Sequence, residues 1–86
     1  MYLFPGENEV LLEDRVIGIF DLDTCSASRR TREYLRQAEA AGEIVDFSGH
    51  LPESFLLCDH PYHDQILYLS RLKPKTILNR RDPWEA

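Results

Sequence analysis

The stretch Cys58-Asp59-His60-Pro61-Tyr62-His63-Asp64 gathers more potential chemistry than any other part of the sequence. His60 and His63 stand three apart, with Cys58 two residues before His60, and imidazole and thiolate both ligate zinc. His50 could complete the set if its loop met this one. Zinc sites usually draw on two separated ligand pairs and only one is present, so the plainer reading is a polar turn with no metal. Cys25 and Ser26 are candidate nucleophiles, but each would need an adjacent base and an orienting acid. Neither lies in a nucleophile-elbow, phosphate-loop or dinucleotide motif. In 86 residues there is also little room for a deep pocket. The expectation is a non-enzyme without a cofactor.

The second chemistry is that of guanidinium groups, whose planar forks match phosphate oxygens. Arg15 is the only cation in the first 28 residues, and Arg29, Arg30 and Arg32 follow within four positions of one another. Lys73, Lys75, Arg80 and Arg81 form a third group near the end. A formal charge of −5 argues against simple nonspecific nucleic-acid binding, which draws its affinity from phosphate neutralisation. The average hides an alternation, since residues 1–25, 26–42, 43–70 and 71–86 carry −5, +2, −5 and +3. A basic face on an acidic protein is compatible with that pattern. The plainer reading is that the helical arginines only solvate an outer face and pair with Glu33. In a ring or filament, however, one arginine per subunit is repeated, and weak phosphate contacts add by avidity.

These groups need elements to hold them. Val16 to Phe20 run without a charge between Asp14-Arg15 and Asp21, which reads as a central strand covered on both faces, with Arg15 at its mouth. Gly18 within it suggests that something large, a helix residue or another backbone, lies against the strand. Upstream, Tyr2-Leu3-Phe4 and Glu9 to Leu12 read as strands joined by the turn Pro5-Gly6-Glu7-Asn8, so residues 1–21 would form a continuous β unit. Leu22 to Ala27 reads as a polar connection, and Ser28 as the N-cap of a helix running to about Ala41. Its apolar stripe is Thr31, Tyr34, Leu35 and Ala38, and Gly42 supplies the stop. Three more strands follow, Glu43 to Phe47, Ser54 to Cys58 and Gln65 to Leu69, the last two paired antiparallel. Lys73 to Arg80 suits a short terminal helix with Pro74 in its first turn. The expected fold is therefore α+β, an antiparallel β meander of about six strands with one central helix and a short C-terminal helix.

So short a chain holds one core, here residues 1–80, with 81–86 a loose tail that Trp84 could anchor to a partner. An apolar fraction of 43% with 29% charged is ordinary for a globular protein. No apolar run approaches the roughly 20 residues of a membrane span, and residues 1–7 lack the basic region of an export signal. A cytoplasmic location without membrane partners is expected, with Cys25 and Cys58 as free thiols.

Several strings, taken in order and spacing, resemble the small bacterial extracellular-matrix (biofilm) regulators RemA and RemB. They are Asp14-Arg15-Val16-Ile17-Gly18-Ile19-Phe20, Ala41-Gly42-Glu43-Ile44-Val45-Asp46, Ser48-Gly49 and the closing Tyr68-Leu69-Ser70 with its Lys-rich continuation. The likeness runs from about Tyr2 to Leu78. It implies a ring-forming homo-oligomer related in fold to the LytTR DNA-binding domain, whose RemA-like members bind promoter DNA and activate matrix genes. Arg15 corresponds to the strand-entry arginine that those members use for DNA. An Arg-Arg pair directly after the loop glycine is replaced here by His50-Leu51. Together with the acidic balance and the longer turn holding His60 and His63, this makes the chain more similar to RemB. The DNA-contact residues so implied are Arg15, assisted by Arg29, Arg30 and Arg32, with His50 standing where the pair is missing. The alternative is an oligomeric interaction module, or a partner of a RemA-like paralogue, that touches no DNA.

Overall fold

Ser54-Phe55-Leu56-Leu57-Cys58 and Ile66-Leu67-Tyr68-Leu69-Ser70 are the most deeply buried strands of the described residues, and they occupy the middle of a four-stranded sheet. In the computed structural model, which describes residues 2–6, 9–25, 27–49 and 51–80, the elements are β1 (Tyr2–Leu3), β2 (Leu11–Leu12), a 3-10 turn (Glu13–Arg15) and β3 (Val16–Asp21). They continue with α1 (Leu22–Cys25), α2 (Arg29–Ala40), β4 (Ile44–Asp46), β5 (Ser54–Cys58), β6 (Ile66–Ser70) and α3 (Pro74–Asn79). The sheet order is β3-β5-β6-β4. β5 is antiparallel to both β3 and β6, whereas β4 runs parallel to β6.

The α+β class stands, but the continuous meander does not. β1 and β2 pair only with each other, because the 3-10 turn redirects the chain before β3 begins. Arg15 closes that turn instead of opening the strand. β4 crosses under α2 to the far side of β6, so its pairing is parallel. β3 is an edge strand rather than a central one, and Ile17 is 66% exposed at a bulge between Val16 and Gly18. Gly18 is covered by the ring of Phe20 from its own strand, 2.8 Å from where a Cβ would stand, and not by a helix or a second backbone. The connection after β3 contains the helical turn α1, whose Asp23 N–H is accepted by the Asp21 carboxylate at 2.9 Å. The expected turn residues Glu7 and Asn8, and the tail 81–86 with Trp84, lie outside the described residues.

Alternation along β5 and β6 sends apolar side chains to both faces. On one face Leu56 and Cys58 meet Leu3 of β1 and Ile77 of α3. On the other, Phe55 and Leu67 meet Ala38 of α2, flanked by Tyr34 and Leu35. The result is three layers: α2, the sheet, then the β1-β2 hairpin with α3. The Ser28 hydroxyl accepts the Thr31 N–H, and Gly42 takes φ 72° to end α2, as the sequence led us to expect.

Ser54 and Ser70, opposite each other across β5 and β6, are both fully buried. The Ser54 hydroxyl donates to the Leu72 carbonyl at 2.6 Å. That of Ser70 donates to the Pro5 carbonyl and accepts the Leu72 N–H at 3.0 Å, tying the hairpin and the approach to α3 onto the sheet. Ser70→Ala leaves a buried carbonyl and an N–H unmatched, and is expected to cost about 1–3 kcal/mol. A urea melt should show a lower midpoint with an unchanged slope.

Candidate nucleic-acid interface

Arg15 is presented by backbone pairing one step beyond the β3-β5 ladder. Its carbonyl accepts the Asp59 N–H at 2.9 Å, and its guanidinium lies 3.7 Å from the Asp59 carboxylate. Both side chains are more than half exposed, 56% and 55%. An ion pair so long and so wet contributes only about 0.2–1 kcal/mol, so the guanidinium is loosely held. Beside it, a cleft of about 340 Å³ is lined by Leu11, Leu12, Cys58, His60 and Tyr68, among others.

The tempting cluster in the β5-β6 turn does not converge. The His60 and His63 rings sit 5.0 Å apart, and the Tyr62 N–H donates to His60 Nδ1 at 3.1 Å, which leaves the proton of the neutral ring on Nε2. Cys58 points into the core at 2% exposure. Burial pushes its thiol up from 9.0 to about 11, with the Asp59 carboxylate adding to the effect. Among the described residues no group of three or more His, Cys, Asp or Glu is arranged to hold a metal ion. His50 lies outside the described residues.

The arginines of α2 belong to the other end of the sheet. β3 begins beside Arg15 and ends at α1, which leads into the N-terminus of α2 where Arg29, Arg30 and Arg32 are exposed. A six-residue strand at about 3.3 Å per residue separates the two ends by roughly 20 Å. Arg32 borders a second cleft of about 300 Å³ with Leu22, Leu35, Arg36, Glu39 and Leu69, and Arg36 bonds Glu33 at 2.8 Å. The structure therefore does not bring the sequence candidates together. Lys73, at the α1 end, is already committed, its ammonium lying 2.6 Å from Glu53 and 3.1 Å from Asp23. Those bonds, Glu53 first, raise its pKa. Lys75 and Arg80 are exposed on and just after α3, and Arg81 lies outside the described residues.

Sequence reasoning missed Asp59 as the partner of Arg15. The signal was present in the order of elements, because β5 paired antiparallel to β3 must bring the residue after Cys58 beside the residue before Val16. Among the described residues, no helix is long and apolar enough to cross a membrane. Compared with known proteins, the chain matches no family and no curated relative.

The raised thiol sets an alkaline limit. The folded state keeps the Cys58 proton up to about 11, while an unfolded chain releases it near 9.0. Stability is thus fully present below pH 9 and falls between the two values, Cys58 contributing up to about 2–3 kcal/mol of the loss. Burial raises Tyr34 and Tyr68, and the carboxylates raise Lys73, all with the same sign. Urea melts from pH 8 to 11 should show this decline, and Cys58→Ala should make it shallower, leaving the part due to Tyr34, Tyr68 and Lys73.

Proposed function

We propose that this chain is a RemB-like bacterial regulator of extracellular-matrix gene expression, with a LytTR-like subunit that assembles into a ring-like homo-oligomer and contacts DNA phosphates through repeated arginines. The observation that supports this best is the state of Arg15. It stands at an end of the sheet, more than half exposed, and among the described residues its ion pair with Asp59 is a long one that a phosphate could displace. Each subunit supplies too little positive charge to hold a duplex alone, since the chain carries −5 overall. Repetition around an assembly supplies the avidity. Arg29, Arg30 and Arg32, roughly a strand length away, assist only a different segment of nucleic acid.

A second reading is favoured by the acids around Arg15. Glu13 and Asp14 share its turn and Asp59 faces it, so the local field is not strongly positive. An oligomeric interaction module, or a partner of a RemA-like paralogue, would need no such field.

Fluorescence anisotropy with a labelled promoter fragment, titrated across salt, separates the two. For the DNA-binding reading, affinity should fall linearly in a log-log plot against salt. Arg15→Ala should weaken binding at least tenfold at unchanged oligomer mass, Asp59→Asn should strengthen it, and Arg29→Ala should change it less than Arg15→Ala. Absence of binding even at low salt would remove direct DNA contact. The mass of a mixture with a RemA-like protein would then test the second reading.

A further inference from the structure

The two outer strands of the sheet run in the same direction. β3 is antiparallel to β5, β5 to β6, and β6 is parallel to β4. Followed across the sheet, the pairings set Ile19, Leu56, Tyr68 and Val45 at one level and Phe20, Phe55, Leu69 and Asp46 at the next. Gly18 is likewise level with Ile44. Gly18 to Phe20, within the regular part Gly18 to Asp21 of one edge, thus stands level with the whole of the other, Ile44 to Asp46. Both edges expose apolar side chains: Ile17 at 66%, Phe20 at 37% and Val45 at 38%. Such edges template further pairing.

We propose that β3 of one copy pairs in parallel with β4 of the next, so that the sheet continues head to tail from subunit to subunit. This rests on the self-assembly in the proposed function and names its contact. A second copy is the occupant that fits, because each edge finds on that copy a strand at the same level and of suitable polarity, β3 being the longer of the two. Glu43, one step before Ile44, comes to the height of Val16, one step from the neighbour's Arg15. Asp46 and Asp21 fall one level apart and so on opposite faces of the sheet, which separates the like charges. A contact between two different edges is heterologous, and it closes into a ring if the rotation per subunit permits. Since the paired edges are parallel, that rotation runs about an axis close to the strand direction. Every Arg15 then lies on one rim, and every α2 N-terminus on the other.

The test is light scattering on wild type, Ile17→Lys, Val45→Lys and an equimolar mixture of the two variants, with thermal melts to verify folding. Wild type should exceed a dimer in mass, and each variant alone should be monomeric. The mixture should form one-to-one dimers and nothing larger, because one intact β3 edge and one intact β4 edge remain. A mixture that stays monomeric, or a Val45→Lys protein of full wild-type mass, would overturn the edge contact while leaving self-assembly in place. Monomeric wild type at high concentration would overturn both.

Discussion

The antiparallel pairing of β5 with β6 determines where everything else can go. These are the most deeply buried strands of the described residues, and five residue pairs join them, from Ser54 with Ser70 to Cys58 with Ile66. A pair buried on both sides must sit at the centre of a sheet. β3 and β4 are thereby left as edges, α2 lies on one face, and the hairpin with α3 lies on the other. The two buried serines add a polar constraint at one end, since their hydroxyls must be matched and are matched by carbonyls of Leu72 and Pro5. That requirement fixes the hairpin against the sheet more specifically than apolar contact alone would.

The same arrangement sorts the charges by end. Antiparallel β3 and β5 place Arg15 and Asp59 together at the end where the β5-β6 turn emerges. The other end holds the α2 N-terminus and the cluster of Lys73 with Glu53 and Asp23. Each end therefore brings acids together with bases, drawn from different charge segments of the chain. A small domain with a modest core and two open edges also has a thermodynamic reason to associate, because association stabilises the folded state by mass action.

Much of this was legible in the residues. Ser28, Gly42 and Pro74 marked the helices, and the runs at β5 and β6 marked the antiparallel pair, because these signals are local. The role of Val16 to Phe20 was not. An uncharged five-residue run has the same composition whether it is central or at an edge. In this case, only the structure shows the bulge at Ile17 and the ring of Phe20 lying over Gly18. The parallel β4 was equally hidden, since strand order depends on where α2 crosses and not on β4 itself. The candidate site fared in the same way. Arg15 was identifiable as a lone cation at a strand mouth, whereas its separation from Arg29, Arg30 and Arg32 follows only from the direction of β3.

Amide hydrogen exchange followed by mass spectrometry at low and high protein concentration tests the central claim directly. Residues of β5 and β6 should be the slowest to exchange at every concentration, while Val16 to Phe20 and Ile44 to Asp46 should gain protection together as concentration rises. Fast, concentration-independent exchange at both edges would contradict the account, as would β5 and β6 exchanging no more slowly than β3.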